Sequence, residues 1–148
     1  MVDTPASVLF ACSLNAVRSP MAEALAKWLF GTRIYLESAG VHAGDLDDFA
    51  IAVLDEVGVD LHRHHVKTLD AIDPGEFDLI VTLSPEAHHA ALELTRDVAT
   101  AVEYWPTMDP SAVAGDRERR LDAYRAVRDQ LARKLRQRFG AGAAGAFV

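Results

Sequence analysis

A chain of 148 residues, 50% of them hydrophobic and 25% charged, has the size and balance of one soluble globular domain with a core of its own. The net charge of −7 argues against a nucleic-acid-binding surface, Asp3 in place of a basic run ahead of the first apolar stretch argues against a signal peptide, and nothing approaches the run of about 20 apolar residues that a membrane span needs. A single cysteine, Cys12, rules out an internal disulfide and points to a reducing, cytoplasmic setting.

In chain order, Val8 to Ala11 reads as a short buried strand ended by small polar residues. Pro20 to Phe30 follows as a helix of strong helix formers, with Pro20 in the first turn, where its missing N–H costs nothing. Ile34 to Ala39 reads as a second strand, and Asp47 to Val57 as a helix closed by Gly58. Phe77 to Leu83 is the clearest buried strand. The next helix opens at Ser84-Pro85-Glu86 and runs to about Thr95, and Ala101 to Trp105 is the last strand. Leu121, Tyr124, Val127, Leu131, Leu135 and Phe139 recur at three- and four-residue steps, which predicts a long amphipathic helix from Asp116 to Phe139 ended by Gly140.

That last helix holds nine Arg or Lys against four Asp or Glu, leaving six basic and 18 acidic residues in the rest of the chain. Its arginines alternate with acids, the pattern of a solvated face with internal salt bridges rather than of a nucleic-acid site. One domain is expected over residues 1–139, with a mobile Gly/Ala tail at 140–148. Alternating strands and helices with short connections predict an α/β fold, a parallel sheet with helices on both faces. Such sheets bind ligands at the carboxyl ends of their strands, where strand order reverses. Cys12 stands at one of those ends.

The segment Cys12-Ser-Leu-Asn-Ala-Val-Arg18 then wraps from strand to helix. The backbone N–H groups of Ser13, Leu14, Asn15, Ala16 and Val17 would point inward as a nest for a tetrahedral oxyanion, backed by the helix dipole. Arg18, six residues after Cys12, returns across the mouth as a fork for two oxygens. Ser19 is placed to donate its hydroxyl to a Cys12 thiolate, and Asn15 suits a left-handed backbone and can tie the loop down. A buried strand-end cysteine beside a surface arginine is the plainer reading. The coincidence of cysteine, mid-loop Asn, Arg, Ser and a Pro-initiated helix favours a nucleophile. A leaving group then needs a proton donor, and the chain offers Asp73-Pro74 and Asp109-Pro110. Asp73 lies in a polar linker before a strand; Asp109 follows the last strand and emerges at the same sheet edge as Cys12.

VLFACSLNAVRSPMAEAL resembles the phosphate loop and first helix of the low-molecular-weight protein tyrosine phosphatases, whose Cys-x5-Arg-Ser signature the related arsenate reductases share. The likeness continues through Glu37-Ser-Ala-Gly40, LDEVGVDL at residues 54–61, Phe77-Asp-Leu-Ile80 and Asp109-Pro110, nearly the whole chain in order. The resemblance implies a four-stranded parallel sheet with flavodoxin-like winding. It also implies Cys12 as nucleophile, Arg18 as anion clamp, Asp109 as general acid and then base, and Ser38 bonded to Asn15. Three positions depart from the family's pattern. Leu14 stands where Gly is usual, Val17 where many members have a second cysteine, and Ser111 and Ala112 where tyrosines usually wall the cleft, leaving Phe49 and Tyr104 as rings that could replace them.

The expected function is hydrolysis of phosphate monoesters through a cysteinyl phosphate, on phosphotyrosine protein or a small aryl phosphate. Two alternatives stand beside it: a single-cysteine arsenate reductase drawing on an external thiol or glutaredoxin, and a non-catalytic phosphate-binding module. The tail segment from VEYWPTMDPS through RLDAYRAVRDQL looks nearer the arsenate branch. No metal or cofactor is expected; Asp45, Asp47 and Asp48 read as a helix cap and solvated first turn, and His62, His64, His65, His88 and His89 as surface or supporting histidines. Trp28 and Trp105 read as packing residues. A monomer or weak dimer is expected.

Overall fold

The computed structural model describes residues 4–140. Apart from Gly140, the tail expected to be mobile lies outside them. Four strands, β1 (Ser7–Cys12), β2 (Tyr35–Gly40), β3 (Leu79–Thr82) and β4 (Ala101–Tyr104), form one sheet in the order β2-β1-β3-β4. Every pairing is parallel. Strand order reverses between β1 and β3, so the carboxyl end of β1, which is Cys12, sits at the switch point.

The period-2 alternation of β1 divides the core in two. Val8, Phe10 and Cys12 point to one face with α1 (Arg18–Phe30), α2 (Asp48–Asp55) and α4 (Arg117–Phe139). Leu9 and Ala11 point to the other, against Ala87 and Ala91 of α3 (Pro85–Leu94) and Leu69. Both faces are therefore covered, as an all-parallel sheet requires.

The helix stripes follow from sequence spacing. On α4, Leu121, Tyr124, Val127, Leu131 and Leu135 are buried, and the charged side is only partly a solvated face. Arg125 binds Glu118 and Asp122 within the helix and Glu56 after α2, while Arg128, itself buried, reaches Glu56 and the Val53 carbonyl. Arg138 pairs with Glu103 of β4 at 2.8 Å. The guanidinium groups of Arg125 and Arg128 hold Glu56 below the usual carboxylate range, the Arg125 hydrogen bond first.

The sequence-based boundaries shift in two places that matter. α1 begins at Arg18 rather than Pro20, because the Met21 N–H reaches back to the Val17 carbonyl (3.0 Å) and closes the turn ahead of the proline. β3 is shorter than Phe77–Leu83, since the Phe77 N–H closes a 3-10 turn onto Pro74 (3.1 Å) before the strand starts.

Candidate active site

The loop from β1 to α1 is shaped from outside by the segment that follows β2. The N–H groups of Val41, His42, Gly44 and Asp47 donate to the carbonyls of Cys12 (3.0 Å), Ser13 (2.8 Å), Leu14 (3.0 Å) and Ala16 (3.1 Å). With its carbonyls drawn outward, the loop turns its amides the other way. Among the described residues the N–H groups of Ser13 to Val17 have no protein acceptor. Gly40 permits the close approach at the start of this strap: a Cβ there would lie 2.6 Å from Asn15 N, Leu14 C and His42 O.

Asn15 has a φ of 53°, the left-handed region its short amide tolerates, and it is fully buried. Its Oδ1 accepts from the Lys67 N–H at 3.1 Å, and because a backbone N–H can only donate, that contact fixes which way the amide faces. The same oxygen meets His64 Nε2 at 2.9 Å, so that nitrogen carries a proton. Nδ2 donates to Ser19 Oγ and Ser38 Oγ, both at 2.9 Å. Ser19 Oγ also stands 2.8 Å from Cys12 Sγ, where its hydroxyl can donate to a thiolate, and the Ser19 N–H approaches the same sulfur at 3.4 Å.

The network extends further inward than the sequence indicated. Ser38 donates to Glu23 Oε1 at 2.6 Å, Lys27 pairs with Glu23 Oε2 at 2.5 Å, and His64 Nδ1 stands 3.7 Å from Glu23 Oε1. Burial holds His64 below the ordinary imidazole value, opposed by the neighbouring Glu23 charge. Glu23 was readable in part: it lies one helical turn beyond Ser19. His64 had no local signal, since it reaches Asn15 from an irregular segment.

Cys12, Arg18 and Asp109 line one cavity of about 290 Å³, with Ser13, Leu14, Ala16, Val17, Asp45, Asp47 and Ser111. Arg18 Nη1 donates to the Thr107 carbonyl at 2.9 Å, tying the β1–α1 loop to the stretch that carries Asp109. The two Asp-Pro pairs adopt the same local turn. Asp73 Oδ1 accepts the Gly75 N–H and Asp109 Oδ1 the Ser111 N–H, each at 3.0 Å. Position alone separates them, because only Asp109 shares the cavity with Cys12.

No aromatic ring lines that cavity among the described residues. Phe49 packs edge-on against Tyr124 at 5.4 Å, and Tyr104 stacks on His88 at 4.8 Å beside a separate pocket with Trp105 and Lys134. Asp47 caps α2 through the Phe49 N–H (2.7 Å) and also accepts the Tyr124 hydroxyl (2.8 Å). Burial, with Asp47 beside it, pushes the Tyr124 hydroxyl well above the usual phenol value. The sequence indicated the Asp47 cap but not that Asp45 and Asp47 face the cavity; the strap bonds that bring them there are long-range.

Comparison with known proteins identifies relatives of the whole chain. The chain is 30% identical over 130 residues to an arsenate reductase of Bacillus subtilis, covering 88% of this chain and 92% of that protein. It is 27% identical over 129 residues to a glutaredoxin arsenate reductase of Synechocystis sp., covering 86% and 92%. The crystal structure of the tyrosine phosphatase amsI of Erwinia amylovora superposes with a TM-score of 0.73 at 26% identity, over 94% of this chain and 91% of that one. The family model for low molecular weight phosphotyrosine protein phosphatase matches residues 7–143. With a parallel four-stranded sheet that carries its one cysteine at the switch point, the chain belongs to the low molecular weight phosphotyrosine protein phosphatase family.

Proposed function

We propose that this chain hydrolyses phosphate monoesters through a cysteinyl phosphate, with Cys12 as nucleophile, Arg18 as oxyanion clamp and Asp109 as proton carrier. The observation that supports this most is the shared cavity of those three residues beneath inward-turned amides. In the first step the Cys12 thiolate forms a bond to phosphorus, the bond to the leaving oxygen breaks, and Asp109 gives that oxygen its proton. Arg18 and the amides of Ser13 to Val17 neutralise the equatorial oxygens as charge spreads over them. In the second step Asp109 takes a proton from water, the water oxygen bonds to phosphorus, the S–P bond breaks and inorganic phosphate leaves. Ser19, 2.8 Å from Sγ, stabilises the thiolate as it departs.

A second reading, arsenate reduction, is favoured by the ring-free cavity. There Cys12 displaces an arsenate oxygen as water. An external thiol then attacks Sγ, so that arsenic leaves as arsenite and a mixed disulfide forms, and a second thiol, such as glutaredoxin supplies, restores Cys12. One pair of assays separates the readings: release of p-nitrophenol from its phosphate, and thiol-dependent consumption of arsenate. The phosphatase reading expects the first, lost in Cys12→Ser. Undiminished release in Cys12→Ser overturns it; arsenate consumption without phosphate release reverses the order. Tight phosphate binding with neither activity identifies a binding module.

A further inference from the structure

We propose that Ser111 is a positioning residue for the acid: its hydroxyl holds one oxygen of the Asp109 carboxyl group so that the other, Oδ2, carries the proton in both steps. The inference rests on the phosphomonoester reading and deepens it. Asp109 Oδ1 accepts twice from Ser111, from the N–H at 3.0 Å and from the Oγ hydroxyl at 2.7 Å. Among the described residues Oδ2 accepts no hydrogen bond. Both residues line the cavity that holds Cys12 and Arg18.

The hydroxyl is surplus to the turn, as the second Asp-Pro pair demonstrates within the same molecule. At Asp73 the Glu76 N–H reaches the Asp73 carbonyl, the Phe77 N–H the Pro74 carbonyl and the Gly75 N–H Asp73 Oδ1, at 3.1, 3.1 and 3.0 Å. At Asp109 the same three main-chain bonds come from Ala112, Val113 and Ser111, at 3.3, 3.2 and 3.0 Å. Gly75 has no side chain to add a fourth, so the turn closes without a hydroxyl. Pro110, buried, anchors the Asp109 turn in addition. The extra bond is found at the pair that shares a cavity with the nucleophile.

Its physical effect falls on the carboxyl group. The last torsion of an aspartate is broad and roughly two-fold, so one N–H alone leaves the two oxygens free to exchange and the plane free to rock. A second donor, attached to a different atom of Ser111, fixes the plane. An oxygen already accepting two hydrogen bonds must lose one to take up a proton, and Oδ2 has none to lose. In the first step Oδ2 therefore gives its proton to the leaving oxygen as the S–P bond forms and the P–O bond breaks. In the second it takes a proton from water as the new O–P bond forms and the S–P bond breaks.

The test measures kcat/KM, which covers the steps up to release of the alcohol, for propyl phosphate and p-nitrophenyl phosphate with the full chain. Ser111→Ala should lower it about tenfold for the propyl ester and about twofold for the nitrophenyl ester, whose leaving group departs without a proton. Ser111→Thr, which keeps the hydroxyl, should bring the propyl value back to within about threefold of the parent. In an Asp109→Asn background Ser111→Ala should cost less than about twofold, because the two residues act as one unit. Equal losses on the two esters indicate a merely structural role and overturn the proposal. So does an intact propyl value in Ser111→Ala, or an undiminished loss in the Asp109→Asn background. If p-nitrophenyl phosphate is still hydrolysed through Cys12 in those cases, the phosphomonoester reading survives alone. If the parent hydrolyses neither ester, both fall.

Discussion

Replacing Asn15 with alanine removes four hydrogen bonds at once, those of Nδ2 to Ser19 and Ser38 and those to Oδ1 from His64 and the Lys67 N–H. Each is worth about 0.5–1.5 kcal/mol net, and the abandoned partners are buried or half-buried. Holding alanine at a φ of 53° adds a further ~1 kcal/mol. The sum is a loss of about 3–7 kcal/mol, read as a fall in the urea midpoint at constant slope. Asn15→Gly separates the two contributions, because glycine keeps the backbone conformation freely while losing the same bonds; it should recover about 1 kcal/mol of the loss. Turnover should fall in both variants, since Ser19 and the loop lose the amide that positions them beside Cys12. A loss below about 1 kcal/mol in Asn15→Ala, with turnover intact, would refute the view that this amide holds the loop.

Asp109→Asn should lower kcat by about 100-fold or more, and by a larger factor for alkyl than for p-nitrophenyl esters, because a nitrophenolate leaves without a proton. Equal losses on both would remove Asp109 from the proton-transfer role. Gly40→Ala forces a Cβ to within 2.6 Å of loop backbone and should cost about 3 kcal/mol, seen as a lower melting temperature. His64, held below its ordinary value of 6.5, binds protons more readily unfolded than folded. Its contribution is therefore complete above that value and is lost as pH falls through the lower folded value. The melting temperature should drop on acidification from neutral to about pH 5, a slope that His64→Gln flattens. Glu56, lowered from 4.5, adds its own loss only at lower pH.

The parts of the site visible in sequence are those built by neighbours along the chain. Cys12, Asn15, Arg18 and Ser19 fall within one strand-to-helix connection, where spacing alone decides what faces what. Asp109 was separable from Asp73 because one follows a strand and the other precedes one, and in a parallel sheet that places them at opposite edges. Glu23, His64, Thr107 and Asp45 are different. Glu23 reads as one more polar position on a helix, and the other three come from irregular segments whose paths are set by distant bonds, such as Arg18 to the Thr107 carbonyl and the Gly44 N–H to Leu14. Phe49 and Tyr104 carry no local mark telling a cleft wall from packing; Tyr124 and His88 take them instead.

The strap behind the anion loop bears on how a catalytic cycle would end. Four carbonyls of that loop are held by Val41, His42, Gly44 and Asp47 and Asn15 is pinned from four sides, so the cradle keeps its shape before any anion arrives. No ordering cost is then left to weaken the grip on a small tetrahedral ion. Under the proposed hydrolysis, inorganic phosphate as product would meet the same donors in the same places as the phosphoryl end of the substrate. Discrimination between entering ester and departing phosphate would then fall to whatever the leaving group touches, so the enzyme's throttle would be its own product.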